Sequence, residues 1–226
     1  MTGMVHRPET HSPRPVQGWR DFLKEIGTIV IGVAIALAAG EAVDGWNWQR
    51  EVAIVKDSLD DELSDAVFAA RERVKIADCQ RRTLDRLDEL ADQSRGTLLL
   101  RASPVSRNRV WGSAAWEAAV ASGAVAHMSH DERNRYAVLF SFVRMFRDLN
   151  LRQQQLWARI EAYRRPRAIT PEARDRFVET VSELRSLTGT MNLAARQFLA
   201  HAEPLEIQLA REDAAALDAP LQCPMP

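Results

Sequence analysis

The chain has 226 residues, a formal net charge of −1 and 46% hydrophobic residues, enough for one domain of roughly 150 residues plus a membrane anchor. Its 30 basic and 31 acidic residues alternate along the same segments, which excludes the concentrated basic face of a nucleic-acid-binding protein. The sequence contains no phosphate-binding glycine loop, nucleophile elbow or Cys-x-x-Cys pair, so we expect neither an enzyme nor a bound cofactor.

The first segment, residues 1–18, is predicted to be a short disordered tail. It contains three prolines, two histidines and few apolar side chains. Such a composition cannot bury enough apolar surface to offset the entropy lost on ordering.

An uncharged run from Ile26 to Gly40 follows, and it is the segment that organises the chain. As a helix it would cover about 22 Å, which is shorter than the roughly 30 Å hydrocarbon core of a bilayer. Its flanks must therefore extend it, and we predict a transmembrane anchor over residues 19–48. Aromatic and lysine side chains favour the two membrane interfaces, and those expected there are Trp19, Lys24, Trp46 and Trp48.

Two other interpretations of this run are open. In the first, it belongs to a cleaved signal peptide with a small-residue exit at Ala36-Leu37-Ala38. In the second, it is the buried helix of a soluble protein. We favour the anchor because the helical pattern continues past the exit and because the run is apolar on every side.

The distribution of basic residues predicts the orientation of the anchor. Four of them precede the run and two follow it within 18 residues of Gly40, namely Arg7, Arg14, Arg20 and Lys24 before, and Arg50 and Lys56 after. Lysine and arginine favour the cytoplasmic side. In a bacterial inner membrane the amino terminus would then be cytoplasmic and the carboxy-terminal domain periplasmic.

Small residues recur at every fourth position of the run, at Thr28, Gly32, Ala36 and Gly40. This spacing forms a stripe on one side of a helix and lets a second helix approach closely. It predicts self-association through the anchor. The competing explanation, that glycine and alanine are common in membrane helices, stays open.

Two parts of the chain share a pattern with known proteins. The first contains FLKEI at 22–26, IVIGVAIAL at 29–37 and WNW at 46–48, and the second contains WEAAVASGA at 116–124 followed by His127 and Met128. They resemble uncharacterised bacterial proteins whose amino-terminal helix reads as a glutamate, an Ile/Val-rich run, IGxxIAL and a tryptophan exit. The resemblance implies a single-pass, membrane-anchored helical protein of unknown function, and it supplies no catalytic residues.

Beyond the anchor, apolar residues recur at helical spacing from Val55 to Ala91. They predict one helix from Trp19 to Gln93, with kinks expected only at Gly40 or Gly45. Residues 92–106 contain Gly96 and Pro104 and are predicted to be a connector. Residues 109–126 are predicted to form a helix of small residues that Ser122-Gly123 weakens or ends.

Two further helix starts are encoded by capping residues. Ser129 and Glu132 form a capping-box pattern that opens a helix to about Tyr163, with its apolar centre at residues 137–146. Thr170 caps the last helix, which has Pro171 at its first position. A heptad of apolar residues then runs from Phe177 to Leu209, with a kink expected at Pro204.

The predicted fold is therefore all-α. A transmembrane helix continues into a long helix, followed by an antiparallel, up-down helical bundle with coiled-coil-like packing. We assign residues 49–212 to the bundle domain and residues 213–226 to a flexible carboxy-terminal tail.

Few residues are candidates for chemistry. No metal site is predicted, because His127 and His130 lie in a turn and His201 is on another helix. The acidic cluster Asp57, Asp60, Asp61, Glu62 and Asp65 is interpreted as a solvated helix face. Cys79 and Cys223 either form one disulfide or remain separate free thiols, and we favour free thiols because one is at a buried helical position and the other in the tail.

The sequence thus predicts a non-enzymatic scaffold or protein-interaction module of the bacterial cell envelope. Its partners would be membrane lipid, an unidentified protein and a second copy of the chain, bound through the anchor and the coiled-coil faces. The alternative is a ligand-sensing bundle that acts through a separate transducing partner. In that case a pocket between helices would be lined by Trp111, Trp116 and Trp157, which otherwise serve as packing residues.

Overall fold

The structure is a computed structural model that describes residues 18–94, 96–100, 109–165, 167–168, 170–220 and 223. The predicted tail at 1–18 therefore lies outside the described residues, apart from Gly18. The α-helices are α1 (Trp19–Gln93), α2 (Ala114–Ser122), α3 (His130–Glu161), α4 (Pro171–Ala202) and α5 (Arg211–Asp218). Short 3₁₀ turns span Ala124–His127, Ala162–Arg164 and Glu203–Leu205. The all-α fold class is confirmed.

One feature of the fold has no counterpart in the sequence prediction. Two-residue strands, β1 (Thr97–Leu98) and β2 (Arg167–Ala168), pair in antiparallel fashion at the far end of the bundle. The backbone N–H of Leu100 also donates to the carbonyl of Tyr163, at 3.0 Å. The connector after α1 is therefore fixed to the connector between α3 and α4 by backbone hydrogen bonds.

The helix boundaries follow the predicted capping residues closely. Ser129 and Glu132 form the complete capping box at the start of α3, and the Thr170 hydroxyl accepts the N–H of Ala173 at the start of α4. Gly123 ends α2 in the left-handed conformation with φ +80°, which a residue with a Cβ adopts only at a cost. The helix predicted from residue 109 begins only at Ala114.

Over its described residues the chain divides into two units, with the boundary between Gln49 and Arg50. In the second unit α1, α3 and α4 form a three-helix bundle. The residue numbers of contacting pairs increase together along α1 and α3, from Lys56 with Glu132 to Arg73 with Gln153. These two helices are therefore parallel. They can be parallel because the long segment between them returns the chain to the starting end, whereas the short α3–α4 connector makes α4 antiparallel to both.

Two apolar clusters fill this bundle. The larger one lies nearer the start of α3 and includes Leu63, Phe140, Phe146 and Phe198, all completely buried. The smaller one lies at the far end and includes Leu87, Leu156, Ile160 and Phe177. The heptad residues predicted on α4 form the side of that helix that faces the core. Every heptad position within the helix is buried, namely Phe177, Val181, Leu184, Thr188, Met191, Ala195, Phe198 and Ala202.

The carboxy-terminal part departs from prediction. Helix α4 ends at Ala202, and Pro204 lies in a 3₁₀ turn rather than in a kinked helix. Residues 211–218 form helix α5 where the sequence predicts the tail to begin. Cys79 and Cys223 are joined in a disulfide, so the preference for free thiols was wrong. Although Cys79 is buried on a helix, Cys223 can reach it because residues 206–220 run along α1 toward it.

Candidate functional site

The amino-terminal part of α1 is the first candidate site. It is long and apolar enough to cross a membrane by length and composition, and no residue in its most apolar window is buried. At its ends the Trp19 and Trp46 side chains are 71% and 65% exposed. The Trp19 ring contacts Phe22, and Lys24 lies 3.8 Å from Asp21. The aromatic residues predicted for the membrane interfaces are thus at the ends of an exposed apolar helix.

The small-residue stripe lies on this exposed segment. A Cβ built on Gly32 or Gly40 would meet no other atom within 4 Å, apart from the local backbone of the helix. The Thr28 hydroxyl donates back to the carbonyl of Lys24 at 2.9 Å, so its polar group is satisfied within the helix. Ala36 is also exposed. Within the described residues, therefore, the stripe is free to receive another helix.

The three bundle tryptophans occupy packed positions. Trp111 stacks on Phe146 with ring centroids 4.3 Å apart, and Trp116 stacks on Phe140 at 5.4 Å. Trp157 lies in the smaller apolar cluster. None of the three lines the described cavities.

A buried polar layer separates the two apolar clusters. Arg73 Nη2 donates to Gln153 Oε1 at 3.2 Å, and Gln153 Nε2 donates to Thr188 Oγ1 at 3.0 Å. Each of these side chains is at most 5% exposed. Burial lowers the pKa of Arg73 to about 10, against the opposing effect of Glu72. Among the described residues, Arg73 Nη1 and Gln80 Oε1 have no hydrogen-bond partner.

A second polar site joins α1 to the segment before α2. Arg109 donates through Nε and Nη2 to the two carboxylate oxygens of Glu72, at 2.7 and 2.8 Å. The hydrogen bond to Glu72 raises the pKa of Arg109. The same guanidinium lies 4.8 Å from the ring centroid of Phe68, and Asn150 Nδ2 donates to the Arg109 carbonyl. Arg109 is thereby held from three sides.

The interpretation of the acidic cluster on α1 as a solvated face is wrong for two of its five residues, Asp60 and Glu62. Asp60 accepts the hydroxyl proton of Tyr136 at 2.7 Å, and burial together with this bond raises the pKa of Tyr136. Glu62 accepts the backbone N–H groups of Ala114 and Ala115, at 2.9 and 3.0 Å. Only Asp57, Asp61 and Asp65 are exposed. The sequence of a helix does not show which of its acidic residues will bind a partner from a distant part of the chain.

His127, His130 and His201 are all exposed. In the described part of the chain, no group of three or more histidine, cysteine or carboxylate side chains is arranged to hold a metal ion.

Comparisons with known proteins return nothing that bears on a family. No protein-family model matches the chain, and neither a curated protein nor a solved structure matches it.

Proposed function

We propose that this chain is a non-enzymatic, membrane-anchored scaffold or protein-interaction module of the bacterial cell envelope. The observation that carries the proposal is the exposed apolar stretch at the start of α1. Monomeric soluble proteins rarely expose an apolar surface of this extent, whereas a lipid bilayer covers it, and the backbone groups of a helix are already satisfied. The filled bundle core supports a role in binding other macromolecules through its surface.

The proposed topology has the amino terminus in the cytoplasm and residues 50–226 in the periplasm. Two features support it. Basic residues are more frequent before the apolar run than after it. The disulfide between Cys79 and Cys223 belongs to an oxidising compartment, since such bonds are rare in the cytosol of mesophiles.

A reporter enzyme that is active only after export, fused behind Pro226, tests this topology. We expect activity in cells that produce the full chain. An inactive reporter would overturn the periplasmic assignment, provided that a reporter active only in the cytoplasm works at the same position. The intact mass of the membrane-bound protein then separates an anchor from a signal peptide, because cleavage after Ala38 would remove the apolar run.

Membrane retention is tested with charges in the apolar run. Ile31→Arg with Ile35→Arg places two guanidinium groups in the middle of the segment, at roughly 2.5–3.5 kcal/mol each on insertion scales. We expect the variant to leave the membrane pellet on alkaline extraction. Leu193→Arg is the matched control, because Leu193 is 60% exposed on α4. Equal retention of both variants would contradict the anchor.

Self-association through the stripe is tested by crosslinking in membranes. Gly32→Leu adds a bulky side chain to the stripe, whereas Val33→Leu places the same side chain on a neighbouring side of the helix that already carries a valine. We expect crosslinked dimers with the wild type and with Val33→Leu, and their loss with Gly32→Leu. Monomers only, or dimers unchanged by Gly32→Leu, would remove self-association from the proposal.

A further inference from the structure

The carboxy-terminal strap, defined as residues 206–220 with Cys223, lies along α1 in the same direction as that helix. Ser64 Oγ donates to the carbonyl of Gln208 at 2.9 Å, near the start of the strap. Further along, Lys75 Nζ donates to the carbonyls of Leu217 and Ala219. The disulfide to Cys79 ties the strap to α1 at its end. These contacts give the strap a single register on α1.

The strap covers residues of α1 that belong to neither of the two apolar clusters. With Ala216, Leu217, Ala219 and Pro220 it forms one wall of a cavity of about 200 Å³. The opposite wall consists of Phe68, Glu72, Lys75, Ile76 and Arg109. Phe68, Glu72 and Ile76 are all buried. Removing the strap would therefore uncover apolar surface next to the Glu72–Arg109 ion pair.

Among the described residues, the second half of this strap is held by the disulfide, by the hydrogen bonds of Lys75 and by the attraction between Asp213 and Arg109. Helix α5, residues 211–218, buries none of its side chains, and its N-cap residue Ala210 makes no side-chain cap. A helix of that length is not stable by itself, because nucleation costs more than a few hydrogen bonds return. Lys75 contributes two exposed or half-buried hydrogen bonds, and such bonds compete with water.

We propose that the strap is a thiol-controlled cover over the groove of Phe68, Glu72 and Ile76. In the oxidised chain the disulfide keeps the local concentration of the strap high, so the weak contacts form. When the bond is reduced, residues 211–220 of the strap leave α1 and the groove opens, while Ile207 and Leu209 stay packed on the folded bundle. This inference does not depend on the proposed scaffold function.

A dithiol is the class of reductant that fits the site. Cys223 is partly exposed and Cys79 is completely buried, so the thiolate of the dithiol attacks Cys223 Sγ. The bond between the cysteines breaks, and its electron pair stays on Cys79 Sγ, which takes up a proton. The second thiol of the reductant then loses its proton and attacks the reductant sulfur that is bonded to Cys223, which forms the cyclic disulfide of the reductant. Cys223 leaves as a thiolate, with the guanidinium of Arg82 available beside it.

The test is hydrogen–deuterium exchange on the full-length chain in detergent micelles, before and after treatment with dithiothreitol. We expect exchange in peptides covering residues 211–218 to become roughly tenfold faster or more after reduction. Peptides covering 68–76 should accelerate less, and peptides from the α3 core at residues 137–146 should not change. Thiol counting confirms that the bond has been reduced.

Cys223→Ser provides the second variant. It should show the open pattern without dithiothreitol, and dithiothreitol should not change that pattern further. The proposal is overturned if the strap peptides keep their protection in the fully reduced chain. It is also overturned if the α3 core peptides accelerate as much as the strap, since the bond would then hold the whole bundle rather than a cover.

Discussion

At the scale of the residue, single carboxylates on α1 determine how the rest of the chain attaches to it. Glu62 is the clearest example, because it caps α2 from a distance of about fifty positions in sequence. The residue at the usual capping position, Ser113, makes no such bond and instead donates to Glu117. Gly112 is fitted to this arrangement, since a Cβ there would come 2.6 Å from Glu62 Oε1.

Removing the Glu62 carboxylate should destabilise the bundle. Glu62→Ala leaves two backbone N–H groups of α2 without their acceptor, and loss of a helix cap costs about 1–2 kcal/mol. The measurement is urea unfolding of the full chain in detergent micelles. Asp61→Ala is the matched control, because Asp61 is exposed and contacts no partner within the described residues. Equal effects of the two substitutions would contradict the assigned cap.

Glu132 gives a pH dependence whose sign follows from its neighbours. The hydrogen bond from Lys56, and then that from Ser129, lowers its pKa from 4.5 to about 2. A carboxyl group whose pKa is lower in the folded than in the unfolded chain stabilises the fold at pH values above its unfolded pKa. This stabilisation is lost as the pH falls toward the folded pKa. Because the side chain is 38% exposed, solvent screening keeps the effect modest.

The corresponding prediction concerns Glu132→Gln, which can keep the capping box but loses the charge. The wild type should be more stable than this variant above about pH 4.5. The difference in unfolding free energy should shrink as pH falls from 4.5 to about 2, the range set by the depressed pKa. Urea titrations across this range measure it. A difference that stays constant with pH would show that the carboxylate charge is not what stabilises the site.

At the scale of the element, the helices themselves were largely predictable and their polar contacts were not. The bounds of α1, the caps of α3 and α4 and the heptad of α4 follow from periodicity and capping residues, which are local signals. The parallel arrangement of α1 and α3 depends on the path of the segment between them, which periodicity does not encode. Arg73 and Gln80 are buried, and nothing local in the sequence distinguishes them from the exposed polar residues of the same helix.

The polar layer between the apolar clusters yields an element-scale prediction. Gln153→Leu removes the acceptor of a buried guanidinium, and we expect a loss of about 2–3 kcal/mol, as for other hydrogen bonds to charged groups. Adding Arg73→Met should restore most of that stability, because a buried polar pair can be replaced by apolar residues of similar volume.

Urea unfolding of both single variants and the double variant forms the cycle that measures this coupling. Gln155→Leu is the matched control on the exposed side of α3 and should have little effect. If the double variant lost the sum of the two single losses, Arg73 and Gln153 would not be acting as a pair.

At the scale of the whole molecule, the disulfide is a covalent link between α1 and the end of the chain, joining cysteines separated by 144 positions. The sequence left open whether the two cysteines are bonded or free, because the path of residues 206–220 along α1 depends on contacts such as that of Ser64 with Gln208. A bond that closes so long a loop restricts the unfolded chain by about 5 kcal/mol in the chain-entropy model. That figure applies only if the native state is equally ordered with and without the bond.

The stability of Cys223→Ser therefore reports whether the strap stays in place. If the strap leaves α1, the native state regains conformational entropy, and the loss should be well under half of the roughly 5 kcal/mol of the chain-entropy model. The buried Trp111, Trp116 and Trp157 provide a fluorescence signal for urea unfolding of the oxidised wild type and the variant. A loss near the full value would mean that the strap remains docked without its bond, so the disulfide would be a permanent staple and not the closure of a removable cover.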